Sequence, residues 1–256
     1  MLTFENITID IAQFKWLGVK TWHPLLIDIS INVQPGEMVA LVGSSGEGKS
    51  IFLQNSLGLL PNNMRSMGHI TINGRTITDK QKSQLRGNTI CYVPQGVNAL
   101  NPLLRIGPQL KRTTKLNGVQ KYSHDVLHIL QQFELQQSIV NCYPRQLSGG
   151  MAKRVLACNA ALAEAQYILA DEITAWLDNV HAMQLLTYLK KLCKQGRGTL
   201  WVTHDLAMAA KFADRIAILH NGRLEEIVTP SQLKFRQASK WSLCLWDALP
   251  EHKFIS

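Results

Sequence analysis

Gly43-Ser44-Ser45-Gly46-Glu47-Gly48-Lys49-Ser50 decides the reading of this chain. The stretch has the form G-x-x-x-x-G-K-S. Met38-Val39-Ala40-Leu41-Val42 before it is a short apolar run bounded by Gly36, and it reads as a buried strand. Ile51-Phe52-Leu53-Gln54-Asn55-Ser56-Leu57 after it reads as the first turns of a helix. Strand, glycine-rich loop and helix together make a phosphate-binding loop. Its glycines let the backbone wrap a phosphate chain without Cβ clashes. Successive N–H groups, through Ser50 and Ile51 at the helix N-terminus, then face the anion. Lys49 is expected to reach the β- and γ-phosphates, and the Ser50 hydroxyl to ligate Mg²⁺.

Working outward, Ile7-Thr8-Ile9-Asp10-Ile11 and Asp28-Ile29-Ser30-Ile31-Asn32-Val33 alternate with period two, and Pro35-Gly36 turns the chain. These are antiparallel strand signals. Gly68-His69-Ile70-Thr71-Ile72 leads into an Asn73-Gly74 hairpin turn, and Thr89-Ile90-Cys91-Tyr92-Val93 reads as a buried strand. Over residues 103–163 helical spacing takes over; Val126, Leu127, Ile129, Leu130 and Phe133 fall on one side of a helix. Strand patterns return at Tyr167-Ile168-Leu169-Ala170, Thr199-Leu200-Trp201-Val202-Thr203 and Arg215-Ile216-Ala217-Ile218-Leu219, with helical segments between them. Asn221-Gly222 closes a last hairpin. The expected fold is α/β: a mostly parallel sheet, an antiparallel β subdomain and an inserted helical subdomain. Residues 1–235 are expected to form the nucleotide-binding domain, and 236–256 a short C-terminal helical extension.

Composition narrows the function classes. The 256 residues are 46% hydrophobic, enough for a full core, yet no apolar run approaches the roughly 20 residues of a membrane span. Met1-Leu2-Thr3-Phe4-Glu5-Asn6 has no basic n-region, so it does not read as a signal peptide. The five cysteines are scattered without a C-x-x-C, which fits packing in a reducing compartment. A soluble, cytoplasmic chain is expected. The net charge of +9 is compatible with nucleic acid, an anionic membrane surface or bound nucleotide. Its lysines and arginines are spread along the chain with no basic-aromatic stacking box, so a solvated basic face is favoured and no nucleic-acid partner is expected.

Two further stretches carry chemistry. Ile168-Leu169-Ala170-Asp171-Glu172 is an apolar strand ending in two carboxylates, at the end where open α/β sheets bind ligands. Asp171 there can hold Mg²⁺ through water, and Glu172 is placed to polarise an attacking water. Leu147-Ser148-Gly149-Gly150-Met151 reads as a helix start: Ser148 is a cap, the glycines permit close backbone approach, and the exposed N–H groups attract an anion.

In combination these motifs resemble the ATP-binding subunits of ABC transporters over nearly the whole chain. Residues 43–50 match the Walker A motif, 167–172 match Walker B with its catalytic glutamate, and Leu147-Ser148-Gly149-Gly150 looks like the family signature. Gln95 matches the Q-loop glutamine, His204 the switch histidine, and Ala175-Trp176-Leu177-Asp178 the D-loop, with Asp178 its acidic residue. Ala99-Leu100-Asn101-Pro102-Leu103-Leu104-Arg105-Ile106-Gly107 is similar to the same segment of the peptide/nickel importer ATPases.

The resemblance implies an ATPase using ATP and Mg²⁺, with Glu172, His204 and Gln95 catalytic and with Ser50, Gln95 and Asp171 at the metal. It implies a head-to-tail dimer with a second, related ATP-binding subunit, in which each signature acts on the partner's ATP. Two membrane permease subunits and a substrate-binding protein complete such an importer, placing this chain peripherally on the cytoplasmic face of a bacterial inner membrane. The imported solute is expected to be a peptide, nickel or another chelated metal. An exporter ATPase, or a non-transport ABC ATPase acting on nucleic acid or ribosomes, are the alternatives. Family members usually stack an aromatic on adenine, for which Trp16 and Trp22 are candidates. The chain departs from the family at Ile173 (usually proline), at Trp176 (usually small), and at Met151 and Lys153 (both usually glutamine).

Overall fold

The computed structural model describes residues 1–14, 20–116 and 123–249. The two N-terminal strands, β1 (Leu2–Phe14) and β2 (Lys20–Val33), are longer than their alternation predicts. The register between them shifts at Phe4/Ile7, Ile7/Ile9 and Ile9/Asp10. Asn6 and Asp28 take left-handed backbone (φ 52° and 56°), and the Asn6 amide donates to Asp28 Oδ1 at 2.6 Å. Each bulge resets the phase of the side chains, so period two is legible only between bulges.

β3 (Met38–Val42) runs into the glycine loop and then α1 (Lys49–Ser56). β4 (Met64–Ile72) and β5 (Arg75–Thr76) form the hairpin read at Asn73-Gly74. α2 (Asp79–Leu85) and β6 (Ile90–Val93) follow. Next come α3 (Ile106–Leu116), α4 (Ser123–Gln132), two 3-10 turns and α5 (Gly149–Leu162). In α4, Val126 and Leu130 are buried, as is Phe133 just beyond it. β7 (Tyr167–Asp171), α6 (Asn179–Lys194), β8 (Gly198–Thr203), α7 (Leu206–Phe212) and β9 (Arg215–His220) then alternate. β10 (Arg223–Val228), α8 (Pro230–Lys234) and α9 (Lys240–Asp247) finish the described chain.

The strands form two sheets. The antiparallel one has the order β2-β1-β4-β5, and the other has the order β10-β9-β3-β8-β7-β6. In the second sheet only β10 is antiparallel. Alternate residues of its strands enter two different cores. Val39, Leu41, Leu200 and Val202 point toward the antiparallel sheet and α1, where they meet Phe4, Phe52 and Leu53. Met38, Ala40, Val42 and Trp201 point to the opposite face, covered by the helices α5, α6 and α7. Burial on both faces explains why these strands read as continuous apolar runs. The anchoring of α1 matters for function, because Phe52 and Leu53 fix the helix whose first turn carries Lys49 and Ser50. Phe52→Ala is expected to cost about 3–5 kcal/mol of stability.

Candidate nucleotide site

Four neighbouring parallel strands, in the order β3, β8, β7, β6, end side by side and deliver the site. The glycine loop follows β3, His204 follows β8, Asp171 and Glu172 close β7, and Gln95 lies just beyond β6. Residues from four separated motifs therefore meet at one sheet edge.

In the loop, Gly46 and Gly48 have φ of 87° and 86°, a conformation L side chains rarely adopt. A Cβ at Gly48 would also lie 3.1 Å from Leu25 Cγ. Gly48 caps α1, leaving the first N–H groups of the helix turned to the loop. The Lys49 ammonium donates to the carbonyls of Gly43 (2.9 Å) and Ser44 (2.6 Å). Burial lowers its pKa, opposed by the charges of Glu172, Glu47 and Asp171. Glu47 folds into the loop, where Oε2 accepts from the Ser44 N–H at 2.9 Å.

Asp171 is 2% exposed and accepts two hydroxyls: Ser50 on Oδ1 at 2.8 Å and Tyr92 on Oδ2 at 3.1 Å. Burial pushes its carboxyl above the ordinary range, and those two hydrogen bonds hold it down. Burial and the neighbouring carboxylate push the Tyr92 hydroxyl up, so it stays a donor. Next to Asp171, Glu172 accepts from the Gln95 amide on Oε2 at 2.8 Å, and its Oε1 lies 3.7 Å from His204 Nδ1. Its backbone is left-handed, with φ 42°, which costs about 1–3 kcal/mol for a residue with a side chain. A cleft of about 230 Å³ is lined by Leu25, Ser45, Gly48, Lys49, Gln95 and Glu172, among others.

A hydroxyl and a carboxylate in contact are hard oxygen donors, the set that suits Mg²⁺ held by few protein ligands together with substrate phosphates. Among the described residues no cluster of three or more His, Cys, Asp or Glu could hold a metal without such help. Gln95 spends its amide on Glu172, one residue from this pair.

The signature residues lie elsewhere. Ser148 caps α5 by accepting from the Met151 N–H at 3.2 Å, and Gly149 faces open space. None of Leu147, Ser148, Gly149 and Gly150 lines the cleft beside the glycine loop. Asp178 caps α6, accepting from the His181 N–H at 2.9 Å and from its imidazole at 2.6 Å. Trp16 lies outside the described residues. Trp22 does not line the cleft, and its ring carries the Lys20 ammonium at 4.2 Å and the Arg65 guanidinium at 4.4 Å. Leu25, three residues further along β2, lines it instead.

Leu25, Tyr92 and the inward fold of Glu47 were not legible as site features. Tyr92 belongs to β6, whose pairing with β7 brings it to Asp171 across 79 residues of sequence. Nothing local to Tyr92 announces that pairing.

The geometry defines a P-loop nucleotide hydrolase: a glycine-rich loop opening a helix, a hydroxyl–carboxylate pair in contact and a buttressed glutamate. The family model described as "ABC transporter" matches residues 26–175, and the chain belongs to this family. The oligopeptide transport ATP-binding protein OppD of Lactococcus lactis subsp. lactis (strain IL1403) is 32% identical over 242 residues, 90% of this chain and 72% of that protein. The dipeptide transport ATP-binding protein DppD of Caldanaerobacter subterraneus subsp. tengcongensis is 34% identical, over 80% of this chain and 66% of its own. The metal-staphylopine import system ATP-binding protein CntD of Staphylococcus aureus (strain Mu50) is 29% identical, over 88% and 84%. A dimeric bacterial ABC transporter cassette superposes with TM-score 0.77 at 28% identity, covering 90% of this chain and 99% of that one. The same cassette in a post-hydrolysis state with ADP and phosphate matches equally. The chain is an ABC-type ATPase that binds ATP, similar to the ATP-binding subunits of peptide and metal importers.

Proposed function

We propose that this chain is the ATP-hydrolysing subunit of an importer for peptides, nickel or another chelated metal. The observation that carries the reading is the convergence of Lys49, Ser50, Gln95, Asp171, Glu172 and His204 at one sheet edge, in a chain similar to importer ATPases.

ATP lies on the N–H groups of residues 43–51, with Lys49 leaving its loop carbonyls for the phosphates. Ser50 and Asp171, with Gln95 beside them, would hold Mg²⁺, which would supply charge neutralisation and orientation of the phosphates. Glu172 polarises the attacking water, and Gln95 and His204 fix the carboxylate's direction from two sides. His204 contacts the γ-phosphate from its exposed position beside Glu172. The signature residues do not reach this chain's own cleft, which supports a head-to-tail dimer in which Ser148 and Gly149 close on the partner's ATP. We read residues 1–235 as the cassette, 103–163 as its helical part and 236–256 as an extension.

The partners are a second, related ATPase, two permeases and, through them, a substrate-binding protein. Among the described residues no helix is long and apolar enough to cross a membrane, so attachment to the membrane falls to those permeases. A groove of about 450 Å³, lined by Leu57, Leu59, Tyr92, Leu100, Leu104 and Arg112 among others, borders the Gln95 segment. Leu103 stands beside it 83% exposed. An apolar groove touching Tyr92 of β6 and Pro94, next to Gln95, suits a permease segment whose movement is felt at Glu172. The chain is purified from membranes in mild detergent and its companions are identified. Two permeases and a second ATPase are expected; nucleic acid as the sole companion would contradict the reading.

A further inference from the structure

We propose that Lys153 is a positioning residue for Glu172, its ammonium gripping the main chain of the turn that carries the carboxylate. The proposal rests on the reading of Glu172 as the water-polarising group. Lys153 stands near the start of α5, the helix that begins at the signature motif. It is 6% exposed, and Nζ donates to the carbonyls of Glu172 (3.3 Å) and Ala175 (2.5 Å).

The turn it grips needs holding. Glu172 and Trp176 both take left-handed backbone, with φ of 42° and 68°. The Glu172 N–H donates to the Val202 carbonyl of β8 at 3.0 Å, and beyond it the turn's main-chain bonds are short-range, Ala175 N–H to Glu172 carbonyl and Leu177 N–H to Thr174 carbonyl. Ile173, where the family usually has proline, supplies no ring constraint of its own. The Glu172 side chain is oriented from outside by Gln95 and His204, so its main chain must be fixed for that orientation to persist. Lys153 does this by bracketing the turn at two carbonyls three residues apart. A buried ammonium is expensive to desolvate, and it is retained where its donors are used. Here they are used on the catalytic turn. The same contact makes the signature end of α5 and the Glu172 turn one piece.

The complex that carries this chain is assayed as wild type, Lys153→Met, Lys153→Ala, Lys153→Arg and Glu172→Gln. Lys153→Met and Lys153→Ala are expected to lower kcat for ATP by as much as about 100-fold, the scale of a 1 Å misplacement of a reacting group. KM and nucleotide affinity stay near wild type, while the melting temperature falls by several degrees for the two lost hydrogen bonds. Lys153→Arg, which keeps a cationic donor, recovers most of kcat. A folded Lys153→Met with wild-type kcat overturns the proposal. So does a fall of kcat matched by an equal loss of nucleotide affinity, which marks a purely structural lysine. If Lys153→Met does not fold, Lys153→Ala decides by the same criteria. Hydrolysis surviving Glu172→Gln overturns the underlying reading and the proposal with it. Hydrolysis lost in Glu172→Gln but intact in Lys153→Met overturns the proposal alone.

Discussion

Ser50→Ala and Tyr92→Phe each delete one hydrogen bond to the same buried carboxylate, and only the first deletes a proposed metal ligand. The bonds are similar, 2.8 Å from Ser50 and 3.1 Å from Tyr92, and Asp171 is 2% exposed. A hydrogen bond to a charged group contributes about 1.5–3 kcal/mol, so each variant is expected to lose about 2 kcal/mol of stability without nucleotide. For a chain of this size that corresponds to a fall of roughly 4–8 °C in melting temperature. Nucleotide separates the two. ATP with Mg²⁺ at 100 times Kd stabilises the folded state by about 2.7 kcal/mol. Tyr92→Phe retains this increment, whereas Ser50→Ala loses most of it. The assay is thermal unfolding followed by circular dichroism, with and without ATP and Mg²⁺, in a Glu172→Gln background so that nucleotide persists. A full nucleotide increment in Ser50→Ala, or a Tyr92→Phe protein melting at the wild-type temperature, would refute the reasoning.

Trp176 is 88% exposed on left-handed backbone four residues past Glu172. Trp176→Ala is expected to change the ATPase rate of the assembled complex without changing nucleotide binding to the isolated chain; an unchanged rate and affinity in the complex would sink the idea that this ring packs on the partner. Leu103→Asp with Leu104→Asp is expected to abolish co-purification with permeases while ATP affinity is kept; retained association would remove the groove from the docking surface. The carboxyl of Asp178 is held below its ordinary value of 3.8 by the His181 N–H and imidazole. A depressed carboxylate contributes stability above its ordinary pKa and loses it as pH falls through the lowered one. The stability gap between wild type and Asp178→Ala, measured by urea unfolding across pH, should therefore be full near neutrality and close in strong acid.

Local chemistry was legible wherever one short segment carries it. Residues 43–50 need strand, glycines and helix in immediate succession, and the order of those residue types declares the loop. Ser148 as a cap and Asn73-Gly74 as a turn are of the same kind, because each depends on neighbours within three residues. The strand limits were less legible, because the bulges near Asn6 and Asp28 reset the alternation. Least legible were contacts made by topology. Tyr92 reaches Asp171 only because β6 and β7 pair, and Lys153 reaches Glu172 only because α5 packs beside the end of β7. The surroundings of Trp22 are of this kind too: its ring is engaged by Lys20 and by Arg65, which belongs to a strand reached through β1. Its aromatic character was visible in the sequence, and its neighbours were not.

The central claim is that Glu172 of this chain drives hydrolysis that powers import. The most direct measurement is ATP turnover by the complex purified from membranes, with wild-type chain and with Glu172→Gln, alongside ATP binding to both. The account predicts that Glu172→Gln binds ATP as tightly as wild type and loses turnover. Turnover at the wild-type rate in an intact Glu172→Gln complex would contradict it and assign hydrolysis to the partner's site.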